Sequence, residues 1–206
     1  YTAMLQALAR EFEQGRVPHE FVATHLDEYV GFAPERRGGM VHELVSHCPP
    51  LGAMLDAGAF LPVPCVEDDA AFAAHAERLR TLGGVKLQLL GIGRNGHIAF
   101  NEPGTPFDSG FHATDLAEST RRDARARFLP DEPPRRAVTS GIATILAAER
   151  LVLCAFGAAK QDAVRAMLAG ETSTACPASA LRRHGNLLVL LDAAAADGLG
   201  AATTGS

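Results

Sequence analysis

The sequence predicts a three-layer α/β fold, a mostly parallel sheet with helices on both faces. Two observations carry that expectation. Apolar runs of five to nine residues alternate with helical stretches of ~10–15 residues, the rhythm of β–α–β units. Apolar residues make up 47% of the 206-residue chain, enough for a sizeable core. Neither an internal repeat nor a composition shift marks a boundary, so residues 1–206 are read as one domain.

Taken in order, residues 2–14 carry Met4, Leu5, Leu8 and Phe12 at helical spacing, and the Gly-Pro segment 15–20 ends that helix. "FVATHL" (21–26) is partly β-branched and reads as a strand, followed directly by "DEYVGF". "FLPVP" (60–64) is a weaker strand, limited by its prolines. A helix follows, capped by Asp68 or Asp69 and stopped by Gly83–Gly84. "VKLQLLGIG" (85–93) is the clearest strand, and 111–116 supplies another. Three prolines in 130–134 make 130–136 a loop. Residues 139–150 read as a helix, 151–157 as a buried strand and 158–170 as a helix. A short helix over 176–185 has Pro177 near its first turn, and 186–192 is the last strand. The small, polar tail from Ala193 should fray. The long, prolyl, charged segment 103–136 is expected to be a mobile lid.

Composition excludes several classes. A net charge of -5 gives no basic excess for a nucleic-acid binder. No apolar run reaches ~18 residues, so no membrane span is expected. Four irregularly spaced cysteines (Cys48, Cys65, Cys154 and Cys176) form no framework and suit a reducing cytoplasm. His42, His47 and Cys48 lack a second pair at zinc spacing, so no metal site is expected.

The chemistry should sit beyond the carboxyl ends of the strands. Two segments carry ionisable groups there: "LDEYVG", with Asp27 and Glu28, and "GRNGHIAFNEP", with Asn95, His97 and Glu102. A histidine held by a carboxylate and an amide is a proton carrier near neutral pH. Gly91, Gly93 and Gly96 let the backbone approach a ligand closely. These glycines match the spacing of a dinucleotide loop. However, "HIAFNEP" does not open a helix, and no ribose-binding acid lies at the usual distance, so no nicotinamide cofactor is expected. Arg127 lies in a charge run with Arg121, Arg122 and Arg125, which composition alone reads as solvated. Lys160 follows a strand and begins a helix, where it can meet an anion.

Together these segments resemble the glucosamine-6-phosphate deaminase family. "LDEYVG" (26–31) and "GIGRNGHIAFNEPGT" (91–105) look like its two hallmark motifs. "SGIATIL" (140–146), "FGAAKQDAV" (156–164) and "PASALRRHGNLLVLLD" (177–192) look like its later segments, in order. The resemblance implies a Rossmann-like sheet and conversion of glucosamine 6-phosphate and water to fructose 6-phosphate and ammonia, without metal or organic cofactor. It implies catalytic roles for Asp27, Asn95, His97 and Glu102. Asp27 would move a proton between C2 and C1, and His97 would open the sugar ring, oriented by Asn95 and Glu102. Arg127 and Lys160 match phosphate-binding positions, with Glu28, Gly93 and Gly96 close to the substrate. The expected partner is a small amino-sugar phosphate, with a homo-oligomer possible. The related 6-phosphogluconolactonases share the fold but continue differently after the Gly-His, where this chain has "FNEP".

Three departures stand out. The family has an N-terminal strand and a Gly/Ser/Thr-rich phosphate loop before the first helix, whereas this chain opens inside that helix at Tyr1. A truncated N-terminus is therefore expected. Asn95 stands where many members carry Asp, which leaves Glu102 more of the work of stabilising a charged imidazole. Residues 32–52 replace the usual aromatic-rich continuation after "DEYVG". Three other readings remain open: action on another sugar phosphate, such as galactosamine 6-phosphate or a lactone; a non-catalytic sugar-phosphate sensor; and an inactive remnant. A sensor would not need Asp27 and His97 together.

Overall fold

The computed structural model describes residues 2–18 and 20–199. Helix α1 (Thr2–Glu13) buries Leu5 and Ala9 in a cluster with Val41, Cys48, Leu51 and Phe60. Strand β1 (Ala23–Thr24) pairs in parallel with β3 (Phe60–Leu61). The strand expected over 21–26 is thus short, because the chain leaves this ladder after Thr24. Asp27–Tyr29 then form β2, which runs antiparallel to β6 (Arg136–Thr139), with β5 (His112–Asp115) on the far side of β6.

Two helices occupy the segment after β2: α2 (Met40–His47) and α3 (Pro49–Asp56). Pro49 ends the first and opens the second, as a residue without an amide hydrogen does best at a first turn. Helix α4 (Asp69–Thr81) is capped by Asp68, whose side chain accepts from the Ala70 N–H at 2.9 Å. Gly83 and Gly84 close it with positive φ.

The third sheet is parallel, in the order β4 (Gln88–Leu90), β7 (Leu151–Ala155), β8 (Leu187–Leu191). Its inner face packs Leu90, Leu151 and Leu153 against α6 (Ile142–Leu146), α7 (Gln161–Ala169) and a 3-10 helix at Pro177–Arg183. The short helix expected over 176–185 is this 3-10 segment. Asp192 caps α8 (Ala193–Ala196), so the tail is helical there; residues 200–206 lie outside the described residues. No helix among the described residues is long and apolar enough to cross a membrane.

Two sequence expectations need correction. Arg136, expected in a loop, and Thr139, expected to open a helix, are the two ends of β6, and α6 spans only Ile142–Leu146. Within segment 103–136, expected to be a lid, β5 lies where a strand was expected over 111–116, and a helix not foreseen from the sequence, α5 (Glu118–Phe128), follows it. Helix α5 buries Thr120, Ala124 and Phe128, at i, i+4 and i+8 on one face. The Phe128 ring meets Tyr29 edge-on, with centroids 5.3 Å apart. Tyr29 also packs against Phe32 and Phe100 in the same cluster. Each such aromatic pair adds roughly 0.5–1.5 kcal/mol beyond its buried area. That anchor holds α5 alongside β2 and β6.

Candidate active site

The end of β6 is a hub. Thr139 lies opposite Asp27 in the ladder, and the Ser140 N–H donates to the Leu26 carbonyl at 2.7 Å. From the other side, the Phe100 N–H donates to Thr139 Oγ1 at 3.1 Å, and Asn101 Nδ2 donates to the Ser140 carbonyl at 2.9 Å. One pair of residues therefore ties the start of β2 to the glycine-punctuated loop after β4. Asp27 and the His97–Glu102 segment both join this junction, although they come from strands in different sheets.

Within the loop, Asn95 Nδ2 donates to Glu102 Oε2 at 2.8 Å, and Asn95 Oδ1 accepts from the His97 N–H at 3.2 Å. His97 Nδ1 lies 3.6 Å from Glu102 Oε2. Glu102 Oε1 accepts from the Ala117 N–H at 3.2 Å, which links the loop to the residue before α5. Burial alone would raise the Glu102 pKa. Hydrogen bonds from His97, Thr120 and Asn95 outweigh it and hold the carboxyl down at about 2. Glu102 is therefore an acceptor at any working pH, and the edge of the imidazole bearing Nδ1 faces a fixed negative charge.

The glycines have a steric reason. A β-carbon on Gly93 would stand 2.3 Å from His97 Cε1, so the ring lies flat on bare backbone. Gly96 combines a φ of +83° with the Cys176 sulfur 2.7 Å from where its β-carbon would be. Neither position accepts a side chain without moving the loop.

Asp27 is half-buried, and burial pushes its pKa up to about 7; the neighbouring Glu28 charge adds to this, and Arg127 opposes it. A carboxylate poised there can both accept and return a proton near neutrality. Arg127, on the α5 face that also carries Thr120, donates from Nη2 to the Tyr29 hydroxyl at 3.0 Å. Seven residues of helix put Thr120 and Arg127 about 10 Å apart along α5. The helix therefore serves both ends of the site, with Thr120 at the imidazole and Arg127 near Asp27.

Lys160 lies in a 3-10 turn (Ala158–Lys160) after β7. It lines a cavity of about 160 Å³ with Gly91, Ile92, Cys154 and Phe156. Burial lowers its pKa, Asp123 raises it and Arg94 lowers it again. Arg94 pairs with Asp123 at 3.5 Å, so three charges cluster at the rim of the site, two of them absent from the sequence-based set. Glu28, expected close to the substrate, has its carboxylate turned to backbone N–H groups. It is 1% exposed and accepts the N–H groups of Tyr29, Met40 and Val41 at 2.8, 2.9 and 3.0 Å. Two of these donors belong to the first turn of α2, so Glu28 caps that helix from outside it. Thr120, which the sequence reading missed, sits 3.3 Å from His97 Nδ1. A lone threonine in an arginine-rich stretch carries no local signal of such a contact.

An α/β scaffold that ties a carboxylate at one strand end and a histidine–glutamate loop after another strand to one junction, with cations nearby, has the layout of an enzyme active site. Comparison with known proteins narrows this. Residues 32–189 match the model of the family described as glucosamine-6-phosphate isomerases/6-phosphogluconolactonase. The glucosamine-6-phosphate deaminase of Bacillus velezensis is 44% identical over 180 residues, covering 84% of this chain and 73% of that protein. That of Hahella chejuensis is 40% identical over 203 residues, covering 96% and 76%. The structure of a monomeric glucosamine-6-phosphate deaminase superposes with a TM-score of 0.85 at 33% identity, covering 95% of this chain and 82% of that one. The 6-phosphogluconolactonase of Trypanosoma brucei shares the fold, with a TM-score of 0.64 at 23% identity, covering 86% and 73%. This chain belongs to the glucosamine-6-phosphate isomerase/6-phosphogluconolactonase family.

Proposed function

We propose that this protein is a glucosamine-6-phosphate deaminase, converting glucosamine 6-phosphate and water to fructose 6-phosphate and ammonia. The observation that carries the reading is the junction at Thr139–Ser140. It ties Asp27 to the loop of Asn95, His97 and Glu102, in a chain 44% and 40% identical to relatives of that name.

The chemistry follows from the groups. Nε2 of His97 takes the proton of the C1 hydroxyl, the O–H pair becomes the C1 carbonyl, the C1–ring oxygen bond breaks, and the ring oxygen receives the proton. Asp27 then removes the C2 proton while the C1 carbonyl oxygen takes up the proton that the substrate's ammonium group gives, forming an enolamine. Asp27 returns its proton to C1, and the double bond ends between C2 and nitrogen as a protonated imine. Water adds to C2 of this imine and ammonia leaves. One carboxylate suits the 1,2-shift because it reaches two adjacent carbons, and a pKa near 7 lets it release what it takes. Arg127 and Lys160 are the cations for the phosphate, whose binding energy positions the reacting end. Gly93 and Gly96 seat the imidazole and its loop. All four cysteines are free, in keeping with a cytoplasmic site of action.

Incubation with glucosamine 6-phosphate should release ammonia and fructose 6-phosphate in equal amounts. Turnover of galactosamine 6-phosphate or 6-phosphogluconolactone in preference to glucosamine 6-phosphate would overturn the substrate assignment. Binding of sugar phosphates with no turnover of any would favour a sensor.

A further inference from the structure

We propose that Thr120 is a positioning residue that holds His97 as the Nδ1–H tautomer, leaving Nε2 free for the sugar. The inference deepens the deaminase reading and, in its kinetic part, rests on it. Thr120 is 8% exposed, and its hydroxyl lies 3.3 Å from His97 Nδ1. Glu102 Oε2 lies 3.6 Å from the same nitrogen.

The tautomer follows from where the hydrogens can go. A threonine hydroxyl has one hydrogen and two lone pairs. The Glu102 carboxylate can only accept, and its Oε2 faces Nδ1, so the tautomer that meets it without opposed lone pairs is the one with hydrogen on Nδ1. The Thr120 hydroxyl then accepts a share of that hydrogen through a lone pair. Nδ1 must therefore carry its hydrogen, shared between Thr120 Oγ1 at 3.3 Å and Glu102 Oε2 at 3.6 Å. Asn95 cannot substitute, because its Nδ2 already donates to Glu102 and its Oδ1 accepts from the His97 backbone. Ring opening begins with a proton leaving the C1 hydroxyl for an unprotonated nitrogen. The wrong tautomer would present an N–H to that hydroxyl and could not begin the cycle.

The test uses Thr120→Val, which keeps the shape and removes the hydroxyl, and Thr120→Ser, which restores it. In protein labelled with nitrogen-15, His97 Nε2 of the wild type should resonate as an unprotonated ring nitrogen and Nδ1 as a protonated one. In Thr120→Val the two resonances should move toward each other as the second tautomer fills. With glucosamine 6-phosphate, Thr120→Val should lose about 10- to 100-fold in kcat with KM within about twofold, and Thr120→Ser should recover most of it. A tautomer and kcat unchanged in Thr120→Val, or a loss that serine does not repair, would overturn the proposal. A wild type that shows the tautomer signature but releases no ammonia would overturn the deaminase reading and leave the positioning role standing.

Discussion

Gly93 lies directly beneath His97, so close that a β-carbon would meet three atoms of the imidazole at 2.3–2.4 Å. The loop is thus shaped around the ring. Gly93→Ala should push the imidazole away from Glu102 and Thr120 by an ångström or more. Misplacement on that scale costs on the order of 100-fold in kcat/KM. The overpacking should also lower stability by about 1–3 kcal/mol. Steady-state kinetics and a urea melt check both; wild-type kinetics in Gly93→Ala would show that the ring position does not matter.

The carboxylate of Glu28 serves the fold, as its burial and three backbone donors show. Glu28→Ala strands those three N–H groups away from water. The expected loss is roughly 2–4 kcal/mol in chemical denaturation. Glu28→Gln keeps one acceptor oxygen but sets an amide against the third donor, and should lose about half as much. If Glu28 instead touched substrate, Gln would damage kcat/KM while leaving stability close to wild type.

The legible parts of this chain were those with strong local signals. Helices α1 and α4 announce themselves through periodicity and through the Asp68 and Gly83–Gly84 punctuation. The loop of Asn95, His97 and Glu102 stands out because glycines and ionisable groups rarely alternate without a reason. Helix α5 was hidden because Arg121, Arg122, Arg125 and Arg127 read as a solvated run, and its inward face is only Thr120, Ala124 and Phe128. Strand β6 was hidden because its four residues run into "SGIATIL", which looks helical throughout. The splitting of 21–29 between two sheets is a tertiary event with no local mark. Residue pattern alone gives the two adjacent acids of "LDEYVG" the same standing, and only the family resemblance set Asp27 apart as the base. Only the ladder shows that Asp27 opens β2 at the hub while Glu28 faces α2.

His25, two residues before Asp27, is buried beside Phe60, with His75 near enough to disfavour its charge. Its Nε2 accepts from the Val63 N–H at 2.9 Å, and burial lowers its pKa from 6.5 to about 4. Between those pH values the unfolded chain binds a proton that the native state refuses. Stability should therefore fall as pH drops from 6.5 to 4, by up to roughly 3 kcal/mol from this residue. His75, whose pKa burial also lowers, adds to the same limb. His25→Gln keeps an acceptor for Val63 and removes the titration. Its stability, measured by denaturant melts across this range, should be flatter than wild type. An equally steep acid limb in His25→Gln would clear His25 of the effect.

Asp27 puts stability and catalysis in opposition, and the sign can be worked out. Its native pKa is about 7, against 3.8 for the free side chain. Below 3.8 both states hold the proton and the residue costs nothing. As pH rises from 3.8 to 7 the unfolded chain gains by ionising while the native state does not, so stability falls. Above 7 the native state bears the full cost of a desolvated carboxylate. Asp27→Asn should therefore be more stable than wild type at pH 8, by roughly 1–4 kcal/mol, with the gap closing below pH 4. Activity runs the other way. Only the ionised carboxylate takes the C2 proton, so kcat/KM of the wild type should climb with pH through about 7. Asp27→Asn, which cannot ionise, should have lost ammonia release by at least about 1,000-fold while still binding a sugar phosphate. A variant that is less stable than wild type at pH 8, or that keeps substantial turnover, would mean that the strain at this strand end is not there for the chemistry.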